Sequence, residues 1–254
     1  MTFLQSILER KKQEAKDLPE MTTLSPTEKS MTESLRKMKP ALIAEVKPMS
    51  PSEGTLMDLT DLPRILRIYN IRAQAISVLC DNATFGGGYD LLSVVRTMTD
   101  LPILAKEFIV SEKQIRRARH AGADAILLIA AMLTKQEAQT LAEQADALGM
   151  SVLFEIHEEK EILSIPALSS DSLVIGINNR NLKNLKIDLE TTKNLAPKIR
   201  SLYPEHLLLS ESGIRTGSDI ATLSLSIDGF LIGTTFLKSS DAKATMAELF
   251  PSIS

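Results

Sequence analysis

From residue 41 onward the chain repeats short apolar runs rich in Ile, Leu and Val, at 41–47, 75–80, 102–106, 124–129, 151–155, 173–177, 206–210 and 228–233. Their ends are separated by 33, 26, 23, 26, 22, 33 and 23 residues, about the length of one strand–helix unit. Leu42-Ile43-Ala44 and Ile126-Leu127-Leu128-Ile129 are continuously apolar, as in strands covered on both faces, whereas a half-exposed strand alternates. Between the runs lie helix-period segments such as 111–121 and 134–149, closed by Arg119-His120-Ala121-Gly122 and by Ala147-Leu148-Gly149, which are basic or glycine stops. The pattern predicts an α/β protein of the (β/α)8 TIM-barrel type. An open doubly wound sheet would carry fewer strands and a glycine-rich first turn, but the first run here leads into Pro48-Met49-Ser50-Pro51-Ser52.

Before the first strand, Phe3, Leu4, Ile7 and Leu8 recur at helical spacing ahead of a charged stretch, so the chain opens with an amphipathic helix. Leu18-Pro19 and Leu24-Ser25-Pro26-Thr27-Glu28-Lys29 then read as a loop leading into a short helix. Residues 1–254 are expected to form a single barrel domain, with 1–40 as a helical extension.

Composition narrows the function classes. A formal charge of −3 supplies no basic field for nucleic acid, so an anionic ligand must be held by local groups. One cysteine, Cys80, makes no internal disulfide, and His120, His157 and His206 show no metal-ligand spacing. No apolar window reaches bilayer length, and charge follows the first residues too soon for an export signal. The expectations are a cytoplasmic protein with no metal, no cofactor, no nucleic-acid or membrane partner, a small-molecule ligand, and a monomeric or weakly homo-oligomeric state.

In a parallel barrel the chemistry gathers at the carboxyl ends of the strands. Glu45 and Lys47 lie two apart, hence on one face of a strand. Lys106 closes Pro102-Ile103-Leu104-Ala105, and Glu155 closes Ser151-Val152-Leu153-Phe154. Asn178 closes Val174-Ile175-Gly176-Ile177, and Glu211 closes Leu207-Leu208-Leu209-Ser210. Any one of these is unremarkable as a solvated strand end. Three carboxylates, two lysines and an amide converging on one rim shift one another's pKa values, as acid–base chemistry requires. Ser212-Gly213 and Gly233-Thr234, after the seventh and eighth strands, are small residues where barrels often hold phosphate. Ser50 can add a hydroxyl to the same anion.

Several motifs, taken in order, resemble the indole-3-glycerol phosphate synthase family. They are Ile43-Ala44-Glu45-Val46-Lys47 with Ser50-Pro51-Ser52, Pro102-Ile103-Leu104-Ala105-Lys106-Glu107-Phe108-Ile109-Val110, Gly176-Ile177-Asn178-Asn179-Arg180-Asn181-Leu182 and Ser210-Glu211-Ser212-Gly213-Ile214. The resemblance spans essentially the whole chain. It implies a carboxy-lyase of tryptophan biosynthesis that converts 1-(2-carboxyphenylamino)-1-deoxyribulose 5-phosphate into indole-3-glycerol phosphate, carbon dioxide and water. It implies that Lys106 is the acid at the ketone oxygen, that Lys47, paired with Glu45, holds the substrate carboxylate and can assist a later step, and that Glu155 is the base. The sequence leaves open how the later acid and base work divides among Glu155, Lys47 and Glu45. Asn178 and Glu211 would contact the substrate or its catalytic neighbours. Ser50, Ser212, Gly213, Gly233 and Thr234 would cradle phosphate, and Phe85, Phe108, Leu127, Arg180 and Leu182 would enclose the anthranilate ring. The extension would pack on the active-site face.

Three places depart from the family's usual pattern. Glu107 stands where Asp commonly follows the lysine, and strand two ends Leu79-Cys80-Asp81-Asn82 where Thr and an acid are usual. Phe85-Gly86-Gly87-Gly88 replaces a Gly-Ser turn, and three glycines imply a looser loop. Two rival readings are a related phosphosugar barrel and a catalytically silent metabolite-binding barrel. The first, such as phosphoribosylanthranilate isomerase, would want a Cys/Asp pair, and Cys80 ends the second strand where the first would be needed. Lys106 and Glu155 count against the second.

Overall fold

The computed structural model describes residues 3–182 and 184–251. Eight parallel strands close into a barrel: β1 Ala41–Val46, β2 Ala75–Leu79, β3 Ile103–Lys106, β4 Ala125–Ile129, β5 Ser151–Ile156, β6 Leu173–Asn178, β7 Leu207–Glu211 and β8 Gly229–Ile232. Neighbours in sequence are neighbours in space, and the ring closes where Ala41 of β1 pairs with Gly229 of β8. Each strand falls within one residue of its apolar run at either end, and all but Lys106 of the strand residues are buried.

Burial on both faces produces two cores. Leu42, Ala44, Ile76, Val78, Phe154 and Ile175 point outward and pack on the helices. Ala41, Ile43, Leu104, Leu127, Leu153, Val174 and Leu209 alternate with them and fill the interior. Each fully buried Leu or Ile stabilises by roughly 1.5–3 kcal/mol, so register is fixed: a one-residue slip would exchange the two sets. It would also turn Glu45, Lys106 and Glu155 away from the barrel axis. The helices follow the strands as expected, with Glu112–His120 after β3 and Lys135–Asp146 after β4. The β5–β6 connection has only a 3-10 turn, Glu159–Ser164. Among the described residues no helix is long and apolar enough to cross a membrane.

The extension expected to lie on the active-site face is divided. Its first helix, α1 (Phe3–Asp17), packs at the mouth, where Ile7 joins the interior core. The chain then descends along Glu112–His120. Lys113, Arg116 and Arg119, three apart and so on one helix face, donate to the carbonyls of Leu18, Met21 and Ser25. The second helix, α2 (Met31–Arg36), reaches the opposite end, and Met31 and Leu35 plug the barrel floor beside Ala41 and Leu207. Prolines 19 and 26 break the helical repeat, and the extended path between them lets one segment cover both ends.

The glycine loop after β2 is not loose. A Cβ on Gly87 would lie 1.8 Å from the carbonyl oxygen of Leu79, and Gly86 has φ 65°. The loop is tied by Gly88 N–H to Leu79 O (3.1 Å) and by Asn82 Nδ2 to Gly87 O (3.1 Å). Here glycine serves close approach and a left-handed turn.

Candidate active site

A cavity of about 630 Å³ opens at the carboxyl ends of the strands. It is lined by every site residue singled out from the sequence: Glu45, Lys47, Ser50, Phe85, Lys106, Phe108, Leu127, Glu155, Asn178, Arg180, Leu182, Glu211, Ser212, Gly213, Gly233 and Thr234. The order of strands around the barrel sorts them. Phe85 and Phe108 follow β2 and β3 and Leu127 lies within β4, and the two phenylalanine rings stack with centroids 6.2 Å apart. Across the mouth, Ser212 and Gly213 follow β7, Gly233 and Thr234 follow β8, and Ser50 follows β1. Leu4 of α1 completes the apolar wall.

The ionisable groups stand between these two sides. Lys106 Nζ lies 3.5 Å from Glu155 Oε2 and 3.4 Å from Glu211 Oε2. Burial works against the ammonium, but Glu211, Glu155 and Glu45 outweigh it and raise the lysine's pKa. Burial also opposes ionisation of Glu155, yet Lys106, His157 and Asn178 hold its pKa below the usual carboxylate range. Glu211 moves the other way. Burial and the neighbouring charges of Glu155 and Glu45 exceed the pull of Lys106 and push it up. Two carboxylates sharing one lysine are thus driven apart, one ionised and one inclined to hold a proton. Lys47 Nζ is 2.5 Å from Glu45 Oε1.

Glycines make room for these carboxylates. A Cβ on Gly176 would meet Glu211 Oε1 at 2.2 Å, and one on Gly233 would meet Glu45 Oε1 at 2.6 Å. Gly233, read from sequence as part of an anion cradle, therefore has a second physical reason to be glycine. Ser212 and Gly213 both have positive φ, 65° and 86°, which costs energy at the serine. Asn179 holds that conformation: its Nδ2 donates to Ser210 Oγ (2.9 Å), Glu211 O (3.0 Å) and Ser212 O (3.0 Å).

Sequence reasoning overlooked several residues. Arg215, Thr235 and Lys238 line the small-residue side of the cavity, and Lys238 pairs with Glu53. Arg215 lies in a loop, Thr235 in the short helix Thr234–Leu237 and Lys238 just after it, and none of them ends an apolar run. Asn179 was visible only as a neighbour of Asn178. At the outer edge Lys11 of α1 is buried 2.9 Å from both Asp81 and Glu107, and Arg10 forms a fork with Asp81 at 2.8 and 2.9 Å. Asp81, the acid after strand two, and Glu107, which departs from the usual Asp, thus both make contacts that seat α1. Cys80 packs in the strand–helix layer, where burial pushes its thiol up, so it offers no acid–base partner to the cavity. Among the described residues no cluster of three or more His, Cys, Asp or Glu is arranged to hold a metal ion.

The chain is similar to known proteins over nearly its whole length. The family model described as indole-3-glycerol phosphate synthase matches residues 4–249. An indole-3-glycerol phosphate synthase of Prochlorococcus marinus subsp. pastoris is 45% identical over 221 residues, 85% of this chain and 75% of the relative. One from Petrotoga mobilis is 36% identical over 253 residues, 98% of this chain and 97% of the relative. The tryptophan biosynthesis protein TrpCF of Vibrio parahaemolyticus is 42% identical over 214 residues, 84% of this chain and 44% of that longer protein. A match that runs from α1 to the last helix takes in every strand that supplies a cavity residue, and on that ground the chain belongs to the indole-3-glycerol phosphate synthase family.

Proposed function

We propose that the chain closes 1-(2-carboxyphenylamino)-1-deoxyribulose 5-phosphate to indole-3-glycerol phosphate, releasing carbon dioxide and water. One observation carries the reading: the Lys106 ammonium stands between Glu155 and Glu211 in a cavity with an aromatic side and, opposite, a side of small residues. The substrate ring lies against Phe85, Phe108, Leu127 and Leu182 with Arg180 beside it, as an aromatic ring in an apolar wall should. Its phosphate lies at Ser50, Ser212, Gly213, Gly233 and Thr234, and Lys47 takes the substrate carboxylate.

Each step balances. The ring carbon bearing the carboxylate attacks the ketone carbon, the carbonyl π pair moves to oxygen, and Lys106 gives that oxygen its proton. The bond to the carboxylate breaks, its electrons return to the ring and carbon dioxide leaves. The new hydroxyl departs as water with a proton from Lys47. Glu155 removes the proton from the adjacent carbon, and that C–H pair becomes the indole double bond. Glu155 then returns its proton to Lys106 across their 3.5 Å contact, and Lys47 regains one from water. Asn178 supports the Glu155 carboxylate. The ligand is a small phosphorylated molecule, and the compartment proposed is the cytoplasm, supported by a cysteine kept as a buried thiol.

The test is fluorescence detection of indole-3-glycerol phosphate formed from the named substrate by wild type and Lys106→Met. The wild type is expected to turn over, and the variant to lose at least about 10³-fold in kcat while binding inorganic phosphate as before. Unchanged turnover in the variant would remove Lys106 from the acid role. An inactive wild type would remove the proposed reaction.

A further inference from the structure

His157 belongs to no part of the mechanism above and does not line the cavity, yet its surroundings are unusual. It lies two residues beyond Glu155, so the alternation of β5 carries it to the same side of the strand. Its side chain is 8% exposed, and both ring nitrogens lie beside carboxylates at ion-pair distance: Nε2 is 3.1 Å from Glu155 Oε1, and Nδ1 is 3.7 Å from Glu161 Oε2. Glu161 is itself anchored, because the same oxygen accepts the backbone N–H of His157 (2.6 Å) and of Glu158 (3.1 Å). The Ala130–Met132 turn, packed against β5 and against the turn bearing Glu161, brings no titratable group. The line of groups is thus Glu161, His157, Glu155, Lys106, with each Glu155 oxygen set against a different cation.

We propose that His157 is a positioning residue for the reaction at Glu155, its ring fixing the Oε1 edge of that carboxylate so that Oε2 is presented to Lys106 and the cavity. The proposal rests on the function proposed above. Without the ring, the Glu155 carboxylate would keep only Lys106 and Asn178 to set its orientation, and a base displaced by about 1 Å loses much of its effect. The imidazole also acts as a charge. Burial lowers its pKa, but Glu155 and Glu161 more than reverse this and raise it to about 9, so the ring is an imidazolium at neutral pH. That charge helps keep Glu155 a carboxylate, the form a base needs, despite Glu211 and Glu45 nearby.

The experiment compares wild type, His157→Leu and His157→Gln. Leucine removes both donor and charge, whereas glutamine restores a donor near the Nε2 position without the charge. For folded His157→Leu, kcat is expected to fall about ten- to a hundredfold with KM within about twofold, and the acid limb of kcat to move up by about one pH unit. His157→Gln should recover most of kcat but keep the displaced limb. Two equally impaired variants with an unmoved limb would reduce His157 to packing, and wild-type kinetics in His157→Leu would overturn the proposal. A second measurement needs no substrate: nitrogen-15 NMR titration of the His157 ring in wild type and Glu155→Gln. The ring is expected to titrate near 9 in wild type and at least about one unit lower in the variant. A titration unmoved by Glu155→Gln would also overturn the proposal, whatever the enzyme's substrate proves to be. Failure of wild type to form product would instead strike the proposed function, and the titration would still decide whether the two side chains are coupled.

Discussion

Lys106 Nζ lies 3.5 Å from Glu155 Oε2, although one residue ends β3 and the other stands next to the last residue of β5. The barrel alone brings them together: two strands separated by one neighbour present their interior rim positions to the same point. The consequence is that the proposed acid and the proposed base sit in one hydrogen-bonded neighbourhood, where a proton taken by Glu155 would have a short way back to the lysine.

Replacing the base tests that arrangement. Glu155→Gln keeps the shape but cannot accept the proton, so kcat should fall about 10²–10⁴-fold, with KM changed by no more than a few-fold. Because Glu155 is held below the usual carboxylate range, it remains ionised through mild acid. Wild-type kcat is therefore expected to stay level from pH 7 down to about 5, where an ordinary Glu with a pKa of about 4.3 would begin to take up protons. Fluorescence assays over pH 5–8 check both points in wild type and in Glu211→Gln, because Glu211 is pushed up to about 8 and titrates in the same range. A limb centred above pH 6 that persists in Glu211→Gln would contradict the charge arrangement described for Glu155.

Gly176→Ala probes the space under Glu211. The added Cβ would come within 2.2 Å of Glu211 Oε1 and 3.1 Å of Leu153 Cδ1, so the carboxylate must leave its place near Lys106. The first clash is with the end of a side chain, so the protein should fold, at a cost of about 1–3 kcal/mol, while kcat drops at least about tenfold. Gly87→Ala is the contrast: its Cβ meets a backbone carbonyl at 1.8 Å, and instability should dominate, at about 3 kcal/mol or more. Thermal melts read beside kcat separate the two, and a fully active Gly176→Ala enzyme would mean that Glu211 need not stay where it is.

What the sequence made legible follows from which signals are local. The strands are readable because each is mostly apolar, and Lys106, Glu155, Asn178 and Glu211 because each interrupts such a run near its end. Gly176 lies inside an apolar run, and its reason is a carboxylate from β7 that no local pattern announces. Lys11 looks like one charge among several on an amphipathic helix, yet it is 3% exposed, because its partners Asp81 and Glu107 arrive from two other loops. In the sequence His157 is a histidine without metal-ligand spacing, and its partners, Glu155 and Glu161, are carboxylates. Periodicity read the frame, while groups whose purpose is another side chain's position needed three dimensions.

Lys11 offers a stability test. Its ammonium is 2.9 Å from Glu14, Asp81 and Glu107, and Lys11→Met would leave Glu107 buried without its cation, a loss of about 3–5 kcal/mol near neutral pH. Burial already raises the pKa of Glu107 even with Lys11 present, and without the lysine it should rise further. A carboxyl whose folded pKa exceeds its unfolded one binds more protons when folded, so the variant should regain stability as pH falls. Urea denaturation at pH 7.5 and 5.5 should show the deficit shrinking, and a deficit independent of pH would mean that packing alone is lost.

Asp81 gives the opposite sign from the same cluster. Its side chain is 1% exposed. Burial raises its pKa, but Arg10, Thr84 and Lys11 outweigh that and hold it at about 2, against about 3.9 in an unfolded chain. A depressed folded pKa contributes stability that is present above the unfolded value and lost as pH falls through the folded one. At about 1.4 kcal/mol per pKa unit, the ionisation-linked part is about 2.6 kcal/mol, about 2 kcal/mol of it lost between about pH 4 and 2. The gap in unfolding free energy between wild type and Asp81→Asn should therefore be constant from pH 7 to about 5 and close by about that amount between about pH 4 and 2. Urea denaturation across that range measures it. The same substitution breaks the Arg10 fork that seats α1 beside the cavity, so KM for the substrate should rise at pH 7 while the Lys106 and Glu155 chemistry, and with it kcat, changes less. A gap that widened on acidification would mean that Asp81 is not held ionised by the N-terminal helix, and that α1 is fastened by its apolar face alone.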